Sequence, residues 1–391
     1  MRILLVVPYP IADPRGNSVA ARRLRDGFLR AGHDVVVWDP PFPAEEADGQ
    51  VTGSDEPSGV AAGSGELVPG GQVEGRGGPA AASLAPSSPL LSPPPGPFSV
   101  ALLLHAWRCA GASAVLARGG AARGRLVPQV VSLRGTDLNE MLDHPATGPT
   151  IRRVLARSAA IVVFHEAARR ELVEREPAWA AKVRVIPNGV ALPRSQVDYR
   201  QRLGLPPGAL VVGAIAGLRE VKRPLLVLPW LERLRQEGAD LIWLHAGAPL
   251  EEAVVRRLAE FRIGRPWVRH VDEIPHAEID SFLRAMDLFV AASRSEGMPH
   301  AVREAMLSRR PCLLSDIPGH RALAEPEREA LFFTGEEDFL AQARRLLGDP
   351  ARRRQLGEAA RRRVEADLAK DDEVGGFLRL FARLAAHGFE A

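Results

Sequence analysis

Short apolar runs that alternate with helical segments constrain the fold of this chain more than any other feature. Residues 2–7 (RILLVV) and 210–218 (LVVGAIAGL) are continuous and apolar, the pattern of strands buried on both faces of a parallel sheet. Segments with helical periodicity follow both runs, at 18–32 and 225–238. Because this alternation occurs in two series along 391 residues, we predict an α/β fold with two Rossmann-like domains.

Shifts in composition indicate where the domains begin and end. The Pro- and Gly-rich stretch 192–209 is interpreted as a linker, so we assign 1–192 to an N-terminal domain and 193–370 to a C-terminal domain. Residues 371–391 are predicted to form a C-terminal helix that packs back on the N-terminal domain, with Gly375-Gly376 as a break before it. Residues 40–98 have few large apolar side chains and are predicted to be a disordered insertion in the first domain.

Charge and aromatic content exclude a nucleic-acid-binding class. The net charge is +3, the pI is about 9.2, and aromatic residues make up 5% of the chain; these values predict no stacking platform for bases. A mildly basic surface fits an anionic small substrate. Peripheral contact with an anionic membrane fits as well and is the less favoured interpretation.

Cysteine content and the N-terminus favour a cytoplasmic protein. The two cysteines, Cys109 and Cys312, are far apart and predict neither a metal site nor a disulfide framework. The N-terminus lacks the pattern of a signal peptide. The apolar run 100–117 is interrupted by His105 and Arg108, so we interpret it as a strand and a helix rather than a membrane span.

Residues 293–319 carry the strongest local indication of a binding site. Glu296 lies on a Gly-containing loop, Pro299 stands where a helix begins, and Glu304 lies inside that helix. A helix start beside a glycine turn is a favourable site for an anion such as a phosphate, and the two carboxylates could hold sugar hydroxyls. The alternative is an ordinary surface helix, because acids at this spacing are common in a chain that is 25% charged.

Three further loops follow predicted strands, where ligands of open α/β sheets bind. Their polar residues are Gly16 and Asn17 after the first strand, Arg134 to Asp137 after the run 130–133, and Arg219 and Lys222 after 210–218. Arg can bind phosphate oxygens in a bidentate manner, whereas Lys acts as a point charge. Plain turns and solvated loops are the alternative interpretation.

Taken together, these motifs resemble the GT-B glycosyltransferases, in particular the large retaining family four. The segments on which this resemblance rests are GNSVAARRLRDGFLRAGHDV (16–35), IPNGV (186–190), IAGLREVKRP (215–224), SRSEGMPHAVREAM (293–306) and SDIPGHRALAE (315–325). SRSEGMPHAVREAM is similar to the Glu-x7-Glu motif of that family. Within the family, the chain most resembles the glycosyltransferase-1-domain-containing proteins. The resemblance implies two domains that face each other across a cleft and a transfer from a UDP- or GDP-sugar.

The resemblance also implies roles for the motif residues. Glu296 would hold the transferred sugar and Glu304 the ribose. Lys222 and Arg219 would stabilise the leaving diphosphate, helped by the N–H groups around Gly297, Met298 and Pro299. Gly16 and Asn17 would approach the diphosphate from the first domain, and Asn188 belongs to the segment between the domains. No metal and no cofactor are implied; the nucleotide sugar is a co-substrate.

Two positions depart from the family pattern. Gly217 stands where an Arg is often found, which makes the role of Arg219 an inference. Arg134 stands where the first domain often has a His that orients the sugar, so Arg134 or Asp137 would take its place. His105, at the end of another strand, is a further candidate, with a packed core histidine as the favoured alternative.

Two other functions remain open from the residues. One is a carbohydrate hydrolase that uses Glu296 and Glu304 as acid and nucleophile. The other is a catalytically inactive nucleotide-sugar-binding or scaffold protein that keeps the fold. The sugar, the base, the acceptor and the oligomeric state are not indicated by the sequence.

Overall fold

The computed structural model describes residues 1–12, 16–40, 92–123, 126–370 and 372–386. Most of the insertion predicted for residues 40–98 falls on 41–91, which lie outside the described residues. Two α/β units make up the remainder, and the prediction of two Rossmann-like domains is confirmed.

The first sheet contains six parallel strands in the order β2-β1-β3-β4-β5-β6. Its strands are β1 (Arg2–Val6), β2 (Asp34–Trp38), β3 (Val100–Leu104), β4 (Gln129–Ser132), β5 (Ala160–Val163) and β6 (Val183–Val185). Its helices are α1 (Gly16–Arg30), α2 (Ala110–Arg123), α3 (Thr136–Asn139), α4 (Gly148–Arg157) and α5 (Glu166–Arg175). Leu4 in β1, the second strand from one edge, pairs with Val36 on one side and Ala101 on the other.

The second sheet also has six parallel strands, in the order β12-β11-β10-β7-β8-β9. Its strands are β7 (Leu210–Ile215), β8 (Leu241–Ala246), β9 (Val268–Val271), β10 (Leu288–Ala291), β11 (Cys312–Ser315) and β12 (Leu331–Phe333). The helices are α6 (Tyr199–Arg202), α7 (Leu228–Gln236), α8 (Glu252–Arg262), α9 (Ile279–Arg284), α10 (His300–Leu307), α11 (Pro318–Arg321), α12 (Glu336–Gly348), α13 (Pro350–Lys370) and α14 (Glu373–Ala386).

Burial on both faces explains the continuous apolar runs. Every residue of β3 and of β8 is buried. Two separate apolar clusters cover the two faces of the second sheet, one containing Leu244 and the other Trp243. Because successive strand residues point to opposite faces, both faces need apolar side chains.

The predicted linker 192–209 is partly structured. It contains α6, whose first residue Tyr199 is buried and packs edge-on against Phe282, with ring centroids 5.2 Å apart. Asp198 caps this helix by accepting a hydrogen bond from the Gln201 N–H at 3.1 Å, the ordinary role of Asp before a helix. The later part of this stretch therefore belongs to the core of the second sheet.

The C-terminal helix α14 packs on α1 of the first sheet. Phe28 of α1 contacts Phe377 and Phe381 of α14, with ring centroids 6.4 and 5.7 Å apart. The predicted helix break at Gly375-Gly376 is wrong, because α14 begins at Glu373 and includes both glycines. A Cβ at Gly376 would lie 3.0 Å from Ile186, so a small residue there permits close packing rather than ending a helix.

The first helix differs from its prediction. Helical periodicity predicted a helix over 18–32, but α1 spans Gly16–Arg30, so Gly16 and Asn17 lie within the helix rather than in a loop before it. The Ser18 hydroxyl donates to the Pro10 carbonyl at 3.0 Å. At the other end of α1, Gly32 has a positive φ of 81°, as expected for a glycine that ends a helix.

Strand order reverses once in each sheet. In the first sheet β1 lies between β2 and β3, and in the second sheet β7 lies between β10 and β8. Loops at the carboxyl ends of the strands beside such a reversal diverge to opposite faces and leave a crevice for a ligand. The loops after β7 and β10 are therefore the places where the fold itself favours binding.

Candidate functional site

Lys222 and Glu296 meet at the strand reversal of the second sheet. Lys222 follows β7 and Glu296 follows β10, and these two strands are neighbours in the sheet. The Lys222 ammonium donates to both carboxylate oxygens of Glu296 at 2.7 Å, and the Ser293 hydroxyl donates to Oε1 at 2.7 Å. The predicted acid and one predicted cation therefore form a single ion pair.

The surroundings of Glu296 keep it ionised. Burial alone would raise its pKa, but Lys222, the Ser293 hydrogen bond and His320 together lower the pKa below its ordinary value. His320 is itself buried and donates from Nδ1 to the Ser315 carbonyl at 2.8 Å. The site therefore presents a carboxylate and a cation side by side at neutral pH.

Arg219 is not brought to the ion pair. Its guanidinium contacts Glu251 at 3.4 Å, is 40% exposed, and does not line the cavity beside Lys222. Arg223, which directly follows Lys222, has a positive φ of 44° and donates to the carbonyls of Ala292 and Ser293 at 2.7 and 3.2 Å. Arg223 thus ties the two loops together, and Lys222 is the cation of this segment that reaches the cavity.

A cavity of about 230 Å³ lies beside the ion pair. Residues of both sheets line it, including Asn17, Arg134, Phe164, Asn188, Lys222, Glu296, Gly297, Met298, Pro299 and His300. Pro299 directly precedes α10, so the amino end of that helix opens on the cavity. Unpaired N–H groups and the positive helix end favour an anion in this position.

Glu304 lies within α10 and is buried. His276 donates from Nε2 to its Oε1 at 3.2 Å. Glu304 is not among the residues that line the cavity, so the two predicted acids occupy separate environments, one beside Lys222 and one beside His276.

On the side of the first sheet, Arg134 and Asn17 lie together. Arg134 donates from Nε to the Asn17 side-chain oxygen at 3.3 Å, and its guanidinium lies 4.9 Å from the centre of the Phe164 ring. Burial lowers the pKa of Arg134 to about 10, so it remains charged at pH 7. Arg134 therefore presents a cation to the cavity at the position where the family pattern has a His.

Asp137 and His105 support the Arg134 loop from beneath. The buried carboxylate of Asp137 accepts from the N–H groups of Ala106, Arg134 and Gly135 at 3.0, 2.7 and 3.1 Å. His105 is buried with a φ of 127°, a strained conformation for a residue with a side chain. Neither residue lines the cavity, so Asp137 shapes the loop, and the interpretation of His105 as a packed histidine fits its position.

Asn188 joins the two sheets and the C-terminal helix. Its side-chain oxygen accepts from Arg23 at 2.7 Å, and its amide donates to Nε2 of His300 at 2.6 Å. Arg23 also pairs with Glu373 of α14 at 2.8 Å. Burial, with Arg23 and Arg134 nearby, holds the pKa of His300 well below its ordinary value, which agrees with its ring nitrogen accepting a hydrogen bond.

The structure adds residues that the sequence analysis missed. Asn139 donates to the Ser295 hydroxyl at 2.9 Å and to the Glu296 carbonyl at 3.2 Å, and His165 bonds the Gly297 carbonyl at 3.0 Å. His165 lies two residues after the end of β5, so its position after a strand was the signal available in the sequence. His276 and His300 offered no comparable signal.

The described residues contain neither a candidate metal cluster nor a candidate membrane-spanning helix. Within 1–12, 16–40, 92–123, 126–370 and 372–386, no three His, Cys, Asp or Glu side chains are grouped so that they could hold a metal ion. In the same ranges no helix has the length and apolar character needed to cross a membrane.

The fold and the site define a class of sugar-transferring proteins. The family model "Glycosyl transferases group 1" matches residues 195–363, and the family model "Glycosyltransferase Family 4" matches residues 14–194. The two matches are consecutive; the match over 14–194 contains β2 to β6 of the first sheet, and the match over 195–363 contains all six strands of the second sheet. The chain therefore belongs to the family four, group 1 glycosyltransferases with a GT-B fold, and it is a glycosyltransferase, as the resemblance implied.

Among curated relatives, the chain is similar to "Glycosyltransferase 1 domain-containing protein 1" of Xenopus tropicalis. The two are 26% identical over 58% of this chain and 68% of that protein. Other curated relatives are matched over only about half of their own length, 54% and 52% in two cases.

Solved structures share the fold over nearly the whole chain. Sucrose-phosphate synthase from Thermosynechococcus elongatus superposes with a TM-score of 0.71 at 16% identity, covering 99% of both chains. Anabaena HepE, in complex with UDP and glucose, superposes with a TM-score of 0.69 at 15% identity, covering 99% of this chain and 100% of that chain. At these identities the likeness establishes the GT-B fold.

Proposed function

We propose that this glycosyltransferase moves a sugar from a UDP- or GDP-sugar to an acceptor with retention of configuration and without a metal ion. The observation that carries the proposal is the Lys222–Glu296 pair, which adjoins the amino end of α10 in a cavity between the two sheets. The structural neighbour HepE was solved with UDP and glucose, which supports a nucleotide-sugar donor of this kind.

Lys222 would stabilise the leaving diphosphate. Negative charge grows on the bridging oxygen as the glycosidic bond breaks, and a fixed cation together with aligned N–H groups lowers the energy of that state. Lys222 and the loop Gly297–Pro299 line the same cavity. Arg134 and Asn17 bring a second cation and an amide to the opposite wall, where we expect them to contact the diphosphate from the first domain.

The two glutamates would hold hydroxyl groups. An ionised carboxylate accepts hydrogen bonds and cannot donate them, so Glu296 suits the hydroxyls of the transferred sugar, and Glu304 suits those of the ribose. The lowered pKa of Glu296 argues against its use as the catalytic acid of a hydrolase, because such an acid needs a raised pKa to keep its proton.

The cytoplasmic location also remains a proposal. It is supported by the two free cysteines, Cys109 and Cys312, both of which are buried.

Thermal unfolding with a panel of nucleotides tests the donor site. UDP, GDP and ADP would be added at equal concentration, because a ligand that binds the folded state raises the unfolding temperature by mass action. We expect a clear rise with UDP or GDP. A protein that none of the three stabilises would contradict the proposal, and stabilisation without any nucleotide release from the sugar donors would favour a non-catalytic binding protein.

A further inference from the structure

Two residues of the first domain form hydrogen bonds with consecutive carbonyl groups of the loop between β10 and α10. Asn139, the last residue of α3, donates from its amide to the Glu296 carbonyl at 3.2 Å. His165, the residue before α5, bonds the next carbonyl, that of Gly297, at 3.0 Å. The donor loop is therefore fixed from the opposite side of the cavity by two separate elements.

The hydrogen-bond partners of His165 define its tautomer. Its Nδ1 accepts from the Ala168 N–H at 3.0 Å and so caps α5. A ring nitrogen that accepts carries no proton, so the proton of the neutral ring is on Nε2, which donates to the Gly297 carbonyl. Burial lowers the pKa of His165, opposed by this bond, and the neutral ring makes both contacts at once.

Holding a carbonyl also aims the N–H group of the next residue. A trans peptide is planar, so its C=O and N–H point in opposite directions, and no peptide bond among the described residues is cis. Asn139 therefore sets the direction of the Gly297 N–H, and His165 sets that of the Met298 N–H. Gly297 and Met298 both line the cavity. Neither of their N–H groups takes part in the hydrogen bonds found among the described residues.

We propose that Asn139 and His165 are positioning residues that aim the N–H groups of Gly297 and Met298 at the donor. The inference rests on the proposed function, because it assigns these N–H groups to the sugar diphosphate. It adds a consequence: the donor loop is fully organised only when the first sheet contacts it. Movement of the two domains apart would release both carbonyls and loosen the loop.

Kinetics separates this role from nucleotide binding. Glu304, the residue proposed to bind the ribose, lies in α10 and is bonded to His276. Its position does not depend on the hydrogen bonds made by Asn139 and His165. We therefore expect loss of one bond to lower kcat by about tenfold, the size of one hydrogen bond between neutral groups. The affinity for UDP should change less than kcat, because fixed N–H groups stabilise mainly the charge that develops on the leaving diphosphate as the glycosidic bond breaks.

Three variants isolate the contacts. Asn139→Asp keeps the shape of the side chain but replaces its donor with a carboxylate. His165→Ser keeps a good cap for α5 but is too short to reach Gly297. His144→Ser is the matched control, because His144 also accepts a backbone N–H through Nδ1, that of Ala146 at 3.2 Å, outside the donor loop.

Amide hydrogen exchange of peptides covering residues 294–302 is the first readout. We expect faster exchange in Asn139→Asp and in His165→Ser, and exchange like that of the unaltered protein in His144→Ser. Unchanged exchange in both test variants would overturn the inference, whatever the enzymatic activity.

The second readout is UDP or GDP release from UDP-glucose, UDP-N-acetylglucosamine and GDP-mannose, with UDP and GDP affinity measured in parallel. A fall in kcat at constant nucleotide affinity supports positioning, whereas a matching loss of affinity would overturn it. If the unaltered protein releases nucleotide from none of the three donors, the proposed function fails, and the exchange measurement still decides the inference.

Discussion

The charge state of single residues determines what this site can do. Glu296 is buried, yet Lys222 lies at 2.7 Å from both of its oxygens, and its pKa is lowered despite burial. A buried carboxylate without such a partner would take up a proton instead. In the proposed function, the pair would supply an acceptor for sugar hydroxyls and a cation for a diphosphate at the same place.

Glu304→Gln tests the ribose role at the scale of one atom. The substitution keeps the size of the side chain and removes its charge, so we expect UDP affinity to fall by about tenfold, or about 1.4 kcal/mol. Isothermal calorimetry would measure the change. Glu329→Gln is the control, because Glu329 is also buried and accepts a backbone N–H, from Glu325 at 2.8 Å, outside the site. Equal affinities of Glu304→Gln and the unaltered protein would remove Glu304 from the donor site.

The sequence located those residues whose position follows from the strands. Lys222 and Glu296 come after strands that are neighbours at the reversal of the sheet, so the order of motifs was enough to place both beside one cavity, while their roles stay predictions. Arg219 sits on the same loop, but its direction depends on Glu251 at the start of α8, a contact that no local pattern encodes. Asn139 and His165 were missed for the same reason, because their partners lie in the other domain.

At the scale of elements, the loops after β4 and β10 touch through two glycines. An ideal Cβ on Gly297 would lie 2.8 Å from the Cα of Gly135 and 3.2 Å from the Arg134 carbonyl. Gly135 has a φ of 110°, which side chains rarely tolerate. The absence of side chains at both positions is what lets the two loops approach each other.

Gly297→Ala should therefore hold the two loops apart. We expect nucleotide release to fall at least tenfold, since one misplaced ångström in a positioned site costs that much or more, while the thermal unfolding temperature stays nearly constant. Gly335→Ala is the matched control, because nothing lies within 4 Å of a Cβ at that position. Activity of Gly297→Ala at the level of the control would show that this close approach is not needed.

Element boundaries were harder to predict than elements. The apolar period predicted the strands and most helices, because burial on two faces leaves a strong pattern. Gly375-Gly376 was misread as a break, because a glycine that permits packing against Ile186 and a glycine that ends a helix look alike in the sequence. Only the tertiary contact distinguishes the two uses.

At the scale of the whole molecule, buried histidines link stability to pH. His245 stacks between Trp243 and His270 in the second sheet. Burial, with a contribution from His270, lowers the pKa of His245 from 6.5 to about 3. Between these values the unfolded chain binds a proton that the folded chain does not, so stability present above pH 6.5 is lost as the pH falls.

His245→Gln should reduce this acid sensitivity. From pH 7.5 to 5.5 we expect His245 to account for about 1.4 kcal/mol of the loss in unfolding free energy. Urea unfolding at the two pH values measures the difference within each variant, so a general destabilisation by the substitution cancels. His144→Gln serves as the control. An acid-induced loss in His245→Gln as large as in the unaltered protein would contradict this assignment.

Nucleotide release by the unaltered protein and by Lys222→Met tests the central claim most directly. The substitution keeps a long unbranched side chain and removes the cation. With UDP-glucose, UDP-N-acetylglucosamine and GDP-mannose as donors, we predict release from at least one, and a fall in kcat of about a hundredfold or more in Lys222→Met. Arg219→Met, whose cation pairs with Glu251 outside the cavity, should lose far less. Release by Lys222→Met at the rate of the unaltered protein would contradict the account.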